Sequence, residues 1–153
     1  MKVKQLGFFV VAAFGISSAW AACVGATCVG RDPQTEGCGT GTEYSKTGVY
    51  SDQGLKIGAV SVKWSSQCKA NWALAQTDFL QGVYGAPQIL SVRIVNAKNL
   101  SDSQAYISWG APSKTASPMI AGANKCVYGE IVMQYYNARG LPTKKTQKTT
   151  TVC

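Results

Sequence analysis

Leu90-Ser91-Val92-Arg93-Ile94, followed further on by Ala105-Tyr106-Ile107-Ser108-Trp109, carries the clearest pattern in the chain. In both runs apolar residues alternate with polar ones. A period of two is the signature of a strand with one face in a core and the other in water. On that phase Leu90, Val92, Ile94, Ala105, Ile107 and Trp109 are expected to point inward. Tyr106 falls on the opposite phase and is expected to point outward.

The same alternation recurs on either side. Leu55, Ile57 and Ala59 alternate with polar or small residues, and Val60, Val62 and Trp64 then continue on the other parity. A parity flip beside Gly58 predicts a β-bulge or a tight bend. Lys125 to Tyr136 is β-branched and aromatic around Gly129, which predicts a bent strand or two short ones. Tyr135 and Tyr136 are neighbours, so one strand can turn only one of them inward. Pro87, Pro112, Pro118 and Pro142 all fall between the runs, where proline belongs in a β protein. Gln67 to Gln76 is the one helical candidate, with Trp72 and Ala75 able to share a face with Cys68. Thr149 to Cys153 is a candidate last edge strand. The expected fold is all-β: a small disulfide-stabilised sandwich or barrel with at most one or two helical turns.

The start of the chain reads as an address. Lys2 and Lys4 precede an apolar run from Leu6 to Ile16, and Ala19 and Ala21 stand at the spacing of an A-x-A cleavage site. Residues 1–21 are therefore expected to be a cleaved secretion signal, and residues 22–153 a single secreted β domain. The apolar run is shorter than the roughly 20 residues needed to cross a bilayer. A lipoprotein signal ending at Cys23 is the rival reading; Trp20 stands where a lipobox wants an aliphatic residue, and lipidation would leave an odd thiol. Cleavage removes two of the 15 basic residues and none of the 7 acidic ones, which leaves a net charge of +6.

Behind an export signal, the six cysteines read as a disulfide framework with fifteen possible pairings. The terminal Cys153 makes sense as an anchor, and Cys126 is its nearest partner in sequence. Cys38 with Cys68 would close a long loop, and Cys23 with Cys28 a small ring. That set is the preferred assignment. Zinc is the competing use of four cysteines, but there is no histidine and no C-x-x-C pair, so no metal and no other cofactor is expected.

Two stretches carry a resemblance. Cys23-Val24-Gly25-Ala26-Thr27-Cys28-Val29-Gly30-Arg31-Asp32-Pro33 with Gly37-Cys38, and Val62-Lys63-Trp64-Ser65-Ser66-Gln67-Cys68 with Trp72-Ala73, are similar to the two motifs of the YjfA-like family of small secreted bacterial proteins. Pro118-Met119 and Cys126 match more loosely. Ser117 and Trp64 depart from the pattern, which usually has Thr and Tyr there. The resemblance implies a small extracytoplasmic domain and no reaction.

Composition prunes the chemistry. Without histidine, Ser-His-Asp and Cys-His catalysis are excluded. Ser66-x-x-Lys69 and Lys46-Thr47-Gly48 resemble penicillin-binding signatures, but their order is reversed and the chain is too short for that fold. Paired carboxylates for a small hydrolase would have to come from Asp32, Glu36, Glu43, Asp52, Asp78, Asp102 and Glu130, and spacing selects no pair. Asp32 with Glu36 could hold calcium, although a turn-capping role suits Asp32 better. The expected function is that of a non-catalytic secreted binding protein for anionic or glycan components of a cell envelope. Its candidate contacts are Lys144, Lys145 and Lys148 in a loop or edge, with Tyr106, Tyr135 and Tyr136 as outward aromatics. A secreted effector, toxin or inhibitor acting on another protein is the alternative. A membrane span and an intracellular nucleic-acid role are not expected.

Overall fold

The computed structural model describes residues 22–78, 85–108, 112–122 and 124–153. The expected signal at 1–21 and the inward position of Trp109 lie outside the described residues. The described part is all-β apart from a single 3-10 turn at Gly25–Cys28. Strands β1 (Thr42–Tyr50), β2 (Lys56–Ser65), β3 (Ala70–Thr77) and β6 (Lys114–Ala116) form one antiparallel sheet in that order, and the short β7 (Ile120–Ala121) pairs with the other end of β3. Strands β5 (Asn99–Ile107), β4 (Gln88–Asn96), β8 (Val127–Tyr136) and β9 (Pro142–Lys148) form the second.

The two sheets face each other as a sandwich, and alternation explains what lies between them. Val60, Val62, Ala73 and Ala75 come from the first sheet; Val92, Ile94, Ile131 and Met133 come from the second, and all are buried in one core. Two glycines set how closely the layers approach. A Cβ on Gly129 would sit 3.2 Å from the Ala73 methyl, and one on Gly58 would sit 2.5 Å from the Gln76 carbonyl oxygen and 2.8 Å from Met133. Gly129 does not divide the stretch into two short strands: β8 runs on through it, paired to Ile94.

The parity flip near Gly58 is a bulge. β1 pairs Val49 with Gly58 and Tyr50 with Lys56, which leaves Ile57 as the extra residue. Beyond it both parities of β2 are buried, because a second cluster covers the outer face: Cys23, Cys28, Cys38 and Cys68 with Ala70, Trp72 and Met119. This cover also explains the helical candidate. Gln67 to Gln76 is not a helix; it is a turn followed by β3, whose Ala73 and Ala75 face the core while Ala70 and Trp72 face the cysteine cluster. With both faces covered by small apolar residues, a strand loses its alternation and resembles a helix face.

β5 corrects another expectation. Ala105 pairs with Arg93 and Ile107 with Ser91, on the outer face, and Ile107 is 65% exposed. Tyr106 pairs with the core residue Val92, so it occupies the inward phase. It is still exposed, because β5 lies at the sheet edge beyond the core's reach.

The three cysteine pairs are Cys23–Cys28, Cys38–Cys68 and Cys126–Cys153. The last ties the chain end beside β8, where Val152 exchanges both backbone hydrogen bonds with Val127.

Candidate functional site

The basic stretch Lys144 to Lys148 is an edge, not a loop, and is not a single patch. It forms the edge strand β9, where Lys144 and Lys148 oppose Gln134 and Glu130 while Lys145 opposes the core residue Met133. Lys145 therefore projects from the other side and reaches Asp52 at 3.4 Å. Lys148 pairs with Glu130 at 3.3 Å and lies 5.0 Å from the centre of the Tyr128 ring. Glu130 also holds Arg93 at 2.7 Å. Of the three lysines, only Lys144 has no ion-pair partner among the described residues.

The tyrosines divide as well. Tyr135 is the inward member of its pair and is only 2% exposed, so it belongs to the core and not to a surface. Burial first, and the nearby Asp52 carboxylate second, push its phenol pKa above the usual value. Asp52 does not reach hydrogen-bond geometry, and the buried hydroxyl has no bonding partner. Tyr135→Phe is therefore expected to leave stability within about 0.5 kcal/mol of wild type, and Tyr135→Ala to cost about 3–5 kcal/mol in urea unfolding. Tyr136 is half-buried on the outer face with Lys144, and Tyr106 stands apart on β5.

Side chains converge instead at one end of the sandwich. Tyr44, Trp64, Asn71 and Lys125 line a cleft of about 200 Å3, backed by Val127, Val152 and Cys153. Tyr44 is there because β1 carries a second bulge: Glu43 pairs with Lys63 and Ser45 with Val62, leaving Tyr44 as the extra residue, 57% exposed. Trp64 and Asn71 are cross-strand partners on the inward phase of β2 and β3, near the turn where the core runs out. Asn71 donates from Nδ2 to the Gly122 carbonyl at 2.9 Å, which fixes its side chain. The disulfide at Cys153 and the Val127–Val152 bridge supply the far wall.

Lys125 is positioned by Asp102 at 2.6 Å, and Asp102 also accepts from Asn96 Nδ2 at 3.1 Å. The Lys125 hydrogen bond is the main cause that holds the Asp102 carboxyl below its ordinary pKa. Glu43 is also lowered: partial burial pushes it up, but the hydrogen bonds from Lys63 and Ser61 outweigh that. For a carboxyl whose folded pKa is depressed, the stabilisation is full above the unfolded value and is lost as pH falls through the folded one. The melting temperature is therefore expected to stay flat from pH 7 to 5 and to fall below about pH 4. In Asp102→Asn the acid-side fall should be shallower.

A wider groove of about 430 Å3 lies on the outer face of the first sheet, lined by Lys63, Trp72, Leu74 and Lys114 and by Gly37, Gly39 and Thr40 of the covering loop. Trp72 is nearly buried and Lys63 is held by Glu43 at 3.2 Å, so this groove offers little beyond Lys114.

The acidic residues are all engaged elsewhere. Asp32 Oδ1 accepts from the Gln34 and Thr35 amides at 2.9 Å, the turn-capping role expected of it, and Glu36 pairs with Arg31 at 3.1 Å. Asp78 pairs with Lys56 at 2.9 Å. Neither cleft is lined by a carboxylate.

Sequence reasoning missed this cleft. It placed Trp64 on the apolar phase with Val60 and Val62, and that phase fixes the side chain's direction but not its depth. The available signal was an aromatic on the inward phase at a strand end, beside an asparagine on the same phase of the next strand. Compared with known families, with curated proteins and with solved structures, the chain matches none.

Proposed function

We propose that this is a non-catalytic extracytoplasmic binding protein that takes a glycan, neutral or anionic, of a cell envelope in the Trp64 cleft. One observation carries the reading: Trp64 and Tyr44 stand in the same small opening as a fixed amide, Asn71, and a fixed cation, Lys125. Aromatic faces take up the apolar faces of sugar rings, while an oriented amide and an ammonium take hydroxyl or carboxylate groups. Export is part of the proposal. It is supported by the signal-like start and by three disulfides. Among the described residues no helix is long and apolar enough to cross a membrane. Membership of the YjfA-like family belongs to the same reading, on the strength of the two stretches from Cys23 to Cys38 and from Val62 to Ala73.

The test is an array of envelope glycans and teichoic or lipopolysaccharide polymers, probed with wild type, Trp64→Ala and a Lys144→Gln, Lys145→Gln, Lys148→Gln triple variant. Losing a ring contact of about 1.5 kcal/mol weakens binding roughly tenfold. Trp64→Ala should show that loss, and the triple variant should bind as wild type. Loss in the triple variant alone would return the ligand to β9.

A second reading, an effector or inhibitor directed at another protein, is favoured by β5. This edge strand exposes Leu100 and Ile107, each at 65%, and an open edge can take up a partner's strand. Leu100→Lys with Ile107→Lys would abolish partner capture on that reading and leave glycan binding untouched.

A further inference from the structure

The geometry points to a second state of the cysteine cluster: as thiols, Cys23, Cys28, Cys38 and Cys68 form a four-sulfur site for one zinc ion. The four Sγ atoms lie within 4.8 Å of one another, and all four residues are buried. Their placement has separate causes. Cys23 stands two residues before the 3-10 turn and Cys28 closes it, and the Gly25 amide donates to the Cys68 carbonyl at 2.7 Å, which pins that turn to the β2–β3 hairpin. Cys38 follows a turn in which its own amide donates to Pro33, and the Cys68 amide donates to Ser65 Oγ at 3.2 Å. The backbone thus gathers the four side chains by hydrogen bonds that do not depend on sulfur oxidation.

Tetrahedral zinc thiolate, with Zn–S near 2.3 Å, needs sulfurs about 3.8 Å apart. That lies between the bonded separation within each pair, 2.05 and 2.04 Å, and the 4.8 Å limit across the cluster. Cys23-x4-Cys28 also falls within the ligand spacing that zinc sites use. The remaining cysteines, Cys126 and Cys153, belong to no such group among the described residues. In the oxidised protein the cluster is a double staple. A phosphine converts each disulfide, with one water, to two thiols and a phosphine oxide; the four thiols then bind Zn2+ and release four protons, with no further redox change.

The purified protein, reduced with a water-soluble phosphine in denaturant and refolded without oxygen in the presence of one equivalent of Zn2+, is alkylated and mapped by mass spectrometry. Cys23, Cys28, Cys38 and Cys68 should react at least tenfold more slowly than Cys126 and Cys153. Co2+ in place of zinc should give the visible spectrum of tetrahedral thiolate, saturating at one equivalent. The spectrum should persist in Cys126→Ser with Cys153→Ser and vanish in Cys38→Ser with Cys68→Ser. Equal alkylation of all six thiols with and without zinc would overturn the assignment, as would a spectrum that survives loss of Cys38 and Cys68.

Discussion

Cys38→Ser with Cys68→Ser is expected to lower the unfolding free energy by about 3–4 kcal/mol. The disulfide spans a separation of 30 residues, and in the chain-entropy description a loop of that size restrains the unfolded chain by about that amount. It also joins the outer cover to the hairpin beneath it, since Cys38, Cys68 and Trp72 pack in one cluster. A melting-temperature drop of roughly 10 °C follows, at a few degrees per kcal/mol for a domain of this size. The comparison is Cys23→Ser with Cys28→Ser, which opens a separation of only 5 residues and should cost less. Equal losses in the two variants would mean that the cover is held by packing and not by the longer crosslink.

Gly58→Ala is expected to be the most damaging single-methyl change in the core, at about 3 kcal/mol. The added carbon would sit 2.5 Å from a backbone oxygen of β3, so β2 and β3 must separate or the bulge at Ile57 must move. Overpacking of a filled core costs about 1–3 kcal/mol and more when backbone is in the way. Gly129→Ala is the control: its new methyl meets side-chain carbons at 3.2 and 3.3 Å, which can yield slightly, and about 1 kcal/mol is expected. Urea midpoints at unchanged m-value read both. Gly58→Ala as mild as Gly129→Ala would show that the close approach at Gly58 is not rigid.

These two positions also mark how far the sequence could be read. The alternation at Val92 and Ile94 announced β4, and the parity flip announced the bulge, because both follow from neighbours along one strand. The even cysteine count announced crosslinks, and the structure holds three cysteine pairs. What failed needed knowledge of the third dimension. β3 read as a helix because its second face is covered by a segment some 30 residues earlier in the chain. β5 read in the wrong phase because an edge strand need not bury its apolar side. Lys144, Lys145 and Lys148 read as a patch, yet strand alternation divides them between two faces, and Glu130 and Asp52 neutralise two of them. The cleft needed three separate stretches, around Tyr44, Trp64 to Asn71, and Lys125 to Cys153, to meet at one end. No local pattern encodes that meeting.

Both the cleft wall and the cover over Trp72 rest on which sulfur is joined to which. Peptide mapping of the purified protein, digested without reduction after its free thiols have been blocked, reads this directly. Three linked peptide pairs should appear, Cys23 with Cys28, Cys38 with Cys68 and Cys126 with Cys153, and no blocked cysteine. Cys153 recovered as a blocked thiol, or linked to any cysteine other than Cys126, would contradict the account.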